Sequence, residues 1–206
     1  EEGRVSIGDI DRACRRVLEA KYKLGLFQDP YKYLDPKRRE KDILSPENRE
    51  AARRVAAETF VLLRNEGRVL PLQRKGRIEL IGPLANTRDN LTGTWSVAQV
   101  PDKYLTLREA MGEALEGKAE LLYAQGSNIC YDEAIQRAGE FGKTIPRVDD
   151  AQALREALDV ARQADVIVAA LGESADMSGE CASRSDLRLP DVQRELLAEL
   201  VKLGKP

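Results

Sequence analysis

Apolar positions along this chain change period once, near residue 77, and the change divides the sequence into two kinds of structure. Before it, Ile7, Ile10, Cys14, Val17, Leu18 and Tyr22 recur at helical spacing. Ser6 with Asp9 opens that run as a capping box, and Gly25 closes it. A second helix is predicted from Ser45-Pro46, with Ser as N-cap and Pro in the first turn. Its apolar face runs through Ala51, Ala52, Val55, Ala56, Thr59, Phe60 and Leu63 to Asn65. Between the two, LFQDPYKYLDP has no period and reads as an extended linker.

From Arg77 the pattern becomes strand–helix alternation. IELIG (78–82), AELLYAQG (119–126) and DVIVAALG (165–172) read as buried strands. Helices are predicted from Leu105 to Leu115, from Asp150 to Ala164 and from Val192 to Leu203. Repeated βα units imply a parallel sheet, and residues 127–149 read as an insertion at the carboxyl end of the second strand. Three parallel strands are few for a sheet covered on both faces. The expectation is therefore that the domain continues after Pro206.

Composition narrows the function classes. Hydrophobic residues make up 42% and charged residues 33%, which suits a folded globular chain. The net charge of -2, with basic residues dispersed, offers no footprint for nucleic acid or an anionic membrane. No apolar run is long enough to span a bilayer. Cys14, Cys130 and Cys181 are too scattered for a disulfide framework or a zinc site and read as free thiols. Histidine is absent, which removes Ser-His-Asp and Cys-His catalysis within this chain. Acid–base chemistry must fall to Asp, Glu, Lys or Tyr.

Chemistry in α/β folds gathers in loops at the carboxyl ends of strands. The loop after the third strand is crowded with Glu173, Ser174, Asp176, Ser178, Gly179, Glu180, Ser183, Arg184 and Asp186. Taken alone, Glu180 is an exposed loop carboxylate, and Arg184 either orients an acid or contacts a hydroxyl, or makes a surface ion pair with Asp186. The loop after the first strand, GPLANTRDNLTGTWS (82–96), lacks the spaced glycines of a dinucleotide site. Its Trp95 either packs to close the loop or offers a stacking platform for a sugar.

Four segments together resemble glycoside hydrolase family 3, in the form of the periplasmic bacterial β-glucosidases. They are VLEAKYKLGLFQDPYKY (17–33), AARRVAAETFVLLRNEGRVLPL (51–72), IGPLANTRDNLTGTWS (81–96) and LGESADMSGECASRSDLRLP (171–190). The resemblance implies three parts. Residues 1–27 correspond to the last helix of a (β/α)8 barrel. Residues 28–75 are an interdomain linker with a helix at 46–65. Residues 76–206 are the first part of a three-layer α/β sandwich with a mainly parallel sheet.

It further implies a retaining, exo-acting β-glucosidase, in which Glu180 is the acid/base and an Asp nucleophile lies in a barrel absent from this sequence. Trp95, Ser183 and Arg184 then face the substrate, and Glu173 serves the loop. A β-xylosidase or arabinofuranosidase of the same family, and a non-catalytic carbohydrate-binding module, are the competing expectations. No metal or organic cofactor is implied. The partners are a β-linked oligosaccharide or glucoside and the barrel of the same protein. The full-length protein is expected in the periplasm or secreted.

Overall fold

The computed structural model describes residues 3–96, 100–137, 145–180 and 182–206. Cys181, and residues 138–144 of the 127–149 insertion, lie outside the described residues. The chain divides into two compact units, Glu1–Arg64 and Asn65–Pro206.

The first unit holds α1 (Ile7–Lys23), α2 (Arg38–Asp42) and α3 (Pro46–Glu58). The Ser6 hydroxyl accepts from the Asp9 amide and donates to the Asp9 carboxylate at 2.7 Å, so Ser6 caps the helix through its side chain. None of the three helices has a buried residue. The α1 stripe is open instead, with Ile7, Val17 and Tyr22 all exposed.

The third helix ends at Glu58, seven residues short of the expected Asn65. Thr59 explains the stop: its hydroxyl donates to the Ala56 carbonyl at 2.7 Å, and the residues that follow, Phe60 and Val61, are poor helix formers. Phe60 to Leu63 leave the helix with their side chains exposed.

The second unit is an α/β fold built on a three-stranded parallel sheet in the order β2-β1-β3. Its strands are β1 (Arg77–Ile81), β2 (Glu120–Ala124) and β3 (Val166–Ala169). Ile78 pairs with Leu121 on one side and Val166 on the other, so β1 is central. The helices are α4 (Leu107–Leu115), α5 (Glu133–Arg137), α6 (Asp150–Ala161) and α7 (Asp191–Val201).

Strand alternation sorts the layers. Ile81 packs with Ala157 and Ala161 of α6 and with Leu196 and Leu200 of α7. Tyr123 of β2 faces the other side, where the Arg108 guanidinium of α4 lies 4.2 Å from its ring centroid. Ile78, Leu80 and Ile81 are fully buried, as expected of a run covered on both faces.

One residue of this central strand breaks the apolar pattern. Glu79 is fully buried beside Leu122 and Ile167, and neither of its carboxylate oxygens has a hydrogen-bond partner among the described residues.

Candidate active-site loops

The strand order reverses direction at β1. The chain leaves β1 for β2 on one side and later enters β3 on the other. Loops from two such neighbouring strands diverge and open a crevice at their carboxyl ends. Here those loops are 82–96, with Trp95, and 170–190, with Glu180. They part at a tight crossing: Ala170 donates its amide hydrogen to the Ile81 carbonyl at 2.7 Å. Gly82 has φ +135, and a Cβ there would sit 2.1 Å from the Ala170 carbonyl oxygen. Only glycine fits that backbone approach.

The 170–190 loop is fastened along its length. At its start, Gln193 of α7, fully buried, bonds both sides of Gly172. Met177 is buried against Ile129, Cys130 and Ile145, with Leu84 packed beside them. Asn90 accepts the Ala175 amide hydrogen at 2.8 Å. The Thr94 hydroxyl lies within reach of the carbonyls of Ala175 and Ser178, the latter at 2.6 Å.

Glu180 follows this anchored stretch and is exposed. Trp95 is 70% exposed, so it does not close its loop by packing. Ser183 is exposed. Arg184 is half-buried, and its ion pair is with Glu173 at 2.7 Å rather than with Asp186. It also donates to the carbonyls of Asp186 and Arg188. Asp186 is taken by Arg188, whose side-chain and backbone donors hold its carboxyl well below the usual range. The Glu173–Arg184 pair thus ties the start of the loop to its far side.

The loop after β1 has its own brace. Arg88 bonds the Tyr104 carbonyl at 3.1 Å and Glu109 at 2.5 Å. Glu109 in turn completes a capping box with Thr106 at the start of α4. The Thr106 amide and Arg88 together keep the Glu109 carboxyl low. A polar hollow of about 440 Å³ lies next to this brace, lined by Asn86, Thr87, Arg88, Asp102 and Gln125. Glu180 is not among its lining residues.

Neither Thr94, Asn90 nor Gln193 stands out in the sequence as a site residue. Thr94 carried one usable signal, its place directly before the lone tryptophan.

Three comparisons bear on these loops. The family described as "Glycosyl hydrolase family 3 C-terminal domain" matches residues 60–206. A periplasmic β-glucosidase of Salmonella typhimurium is 39% identical over 213 residues, covering 100% of this chain and 28% of that protein. A β-xylosidase of Formosa agariphila is 30% identical, covering 96% of this chain and 25% of its own length. Among solved structures, a β-glucosidase from Listeria innocua in complex with isofagomine superposes with a TM-score of 0.77 at 33% identity. That alignment covers 100% of this chain and 26% of the Listeria chain. The chain spans about a quarter of the length of the relatives it matches.

Proposed function

Since the chain belongs to glycosyl hydrolase family 3, we propose that it forms part of a retaining, exo-acting β-glucosidase and supplies the acid/base carboxyl, Glu180. The Asp nucleophile lies in a barrel elsewhere in the full-length protein. The observation that carries this reading is the setting of Glu180, an exposed carboxyl on a loop anchored at Gly172, Ala175, Met177 and Ser178. A proton donor has to reach outward to substrate while its backbone stays fixed.

The chemistry runs in two displacements. Glu180 gives its proton to the glycosidic oxygen as the bond to the anomeric carbon breaks, and the glucosyl group passes to the Asp carboxylate. The Glu180 carboxylate then takes a proton from the water that attacks the anomeric carbon. Glucose leaves, and both carboxyl groups return to their starting states. Such catalysis needs the two carboxyl groups roughly 5 Å apart. Trp95 stacks on the leaving sugar, while Ser183 and Arg184 contact its hydroxyls, Arg184 from a guanidinium already anchored on Glu173. No metal or organic cofactor takes part.

The second reading, a β-xylosidase, is favoured by the Formosa relative, which is similar across nearly the whole chain. Periplasmic or secreted location is part of the proposal, supported by the name of the Salmonella relative. Among the described residues no helix is long and apolar enough to cross a membrane.

The test is Glu180→Gly in the full-length protein. The kcat/KM for an unactivated disaccharide should fall by about 10²- to 10⁴-fold, while that for aryl glucosides with good leaving groups falls far less. Equal loss on both substrates, or none, overturns the assignment. The isolated 206-residue chain should turn over neither substrate.

A further inference from the structure

Among the side chains that join the two loops at the β1/β3 crevice, Thr94 is used at both its hydroxyl and its methyl. The Thr94 hydroxyl faces the carbonyls of Ala175, the first residue of the short turn Ala175–Met177, and of Ser178, the residue after it. The Thr94 methyl fills the space beside Gly179. A Cβ at Gly179, whose φ is +131, would lie 2.7 Å from Thr94 Cγ2. Ser178 and Gly179 are the two residues before Glu180, and Thr94 is the residue before Trp95.

We infer that Thr94 is a positioning residue for proton transfer: it sets the backbone from which Glu180 reaches the glycosidic oxygen. This rests on reading Glu180 as the acid/base. Threonine suits the task because no other residue of its size carries a hydroxyl and a methyl on one carbon. Serine keeps the bond to the loop carbonyls and gives up the contact with Gly179. Valine keeps the shape and leaves the Ala175 and Ser178 carbonyls without this donor. Asn90 still holds the turn from the other loop, through the Ala175 amide. A shift of about 1 Å in a catalytic group costs on the order of 10²-fold in rate. In the first displacement, which kcat/KM reports, the effect should appear only where the leaving group needs a proton.

The experiment compares Thr94→Val, Thr94→Ser and Glu180→Gln in the full-length protein. Each variant is assayed on cellobiose and on 2,4-dinitrophenyl β-glucoside. Thr94→Val should lose about 10- to 100-fold in kcat/KM on cellobiose and stay within about threefold in kcat/KM on the activated substrate. Thr94→Ser should recover most of that loss. A Thr94→Val variant that matches the parent on cellobiose, or loses equally on both substrates, overturns the inference. If Thr94→Val fails to fold, Thr94→Ala is read on the same pair of substrates with the same criteria. Glu180→Gln separates the two levels. If its loss does not depend on the leaving group, the acid/base reading falls; if it does while Thr94→Val shows no selective loss, only the Thr94 inference falls.

Discussion

Gln193 grips the peptide groups of Gly172 from both directions: its Oε1 accepts the Gly172 amide hydrogen at 2.8 Å, and its Nε2 donates to the Gly172 carbonyl at 2.8 Å. The second Nε2 hydrogen goes to the Ile129 carbonyl, also at 2.8 Å. One fully buried amide therefore joins the exit of β3, the start of α7 and the segment after β2. Buried polar groups of this kind stabilise little in net terms but are costly to leave unpaired.

Gln193→Leu removes the amide and leaves the Gly172 amide and the Ile129 carbonyl without it. The expected cost is about 3 kcal/mol in the unfolding free energy of the full-length protein, measured by urea denaturation. A cost below about 1 kcal/mol would mean that water reaches these groups and that the clamp is not what holds the loop.

Glu79 gives a pH signature. Burial pushes its carboxyl up from 4.5 to about 8, against a weaker opposing pull from Lys205. The Lys205 amino group donates instead to the carbonyls of Arg162 and Ala164. The folded state thus holds a proton that the unfolded chain releases above 4.5. Stability from this group is fully present below 4.5 and is lost as pH rises to about 8, by up to about 1.4 kcal/mol per pH unit. Glu79→Gln, neutral throughout, should flatten that slope. The check is the denaturation midpoint followed between pH 5 and 8 for both proteins, and parallel slopes would count against a buried, uncharged Glu79 (the window follows from the raised carboxyl).

Trp95 separates packing from recognition. A ring that is 70% exposed contributes little to folding, so Trp95→Ala should change stability by less than about 0.5 kcal/mol. On the proposed reading, KM for a disaccharide should rise about tenfold, from lost stacking of about 1.4 kcal/mol. Steady-state kinetics and a thermal melt on one preparation decide it. A large drop in Tm with unchanged KM would return Trp95 to the role of a loop-packing residue.

The three strands of the second unit and its helices α4, α6 and α7 were legible because each buries a periodic apolar face, whereas α5 lies in the stretch read as an insertion and has no such face. β1, β2, β3 and α6 fall within a few residues of where the periodicity puts them. The end of α3 was not, because Thr59 and Phe60 fit the helical apolar period, while the hydroxyl of Thr59 turns back on Ala56. Glu79 passed unnoticed because one charged residue does not erase a buried run. The Asp186 ion pair, one of the two readings open for Arg184, draws on its neighbour in sequence, yet the guanidinium pairs with Glu173. The bonds of Thr94 and Gln193 were illegible for the same reason. Their partners lie 84 and 21 residues away in the sequence, and only the tertiary approach of the loops chooses them.

The side chains that fasten the loop after β3 have a bearing on engineering. Asn90 and Thr94 come from the loop after β1, and Gln193 from the first turn of α7. Exchanging residues 172–190 alone between relatives would strip the incoming loop of three of its attachments. The natural cassette for a chimaera is therefore discontinuous: the Trp95 loop, the Glu180 loop and the start of α7 travel together.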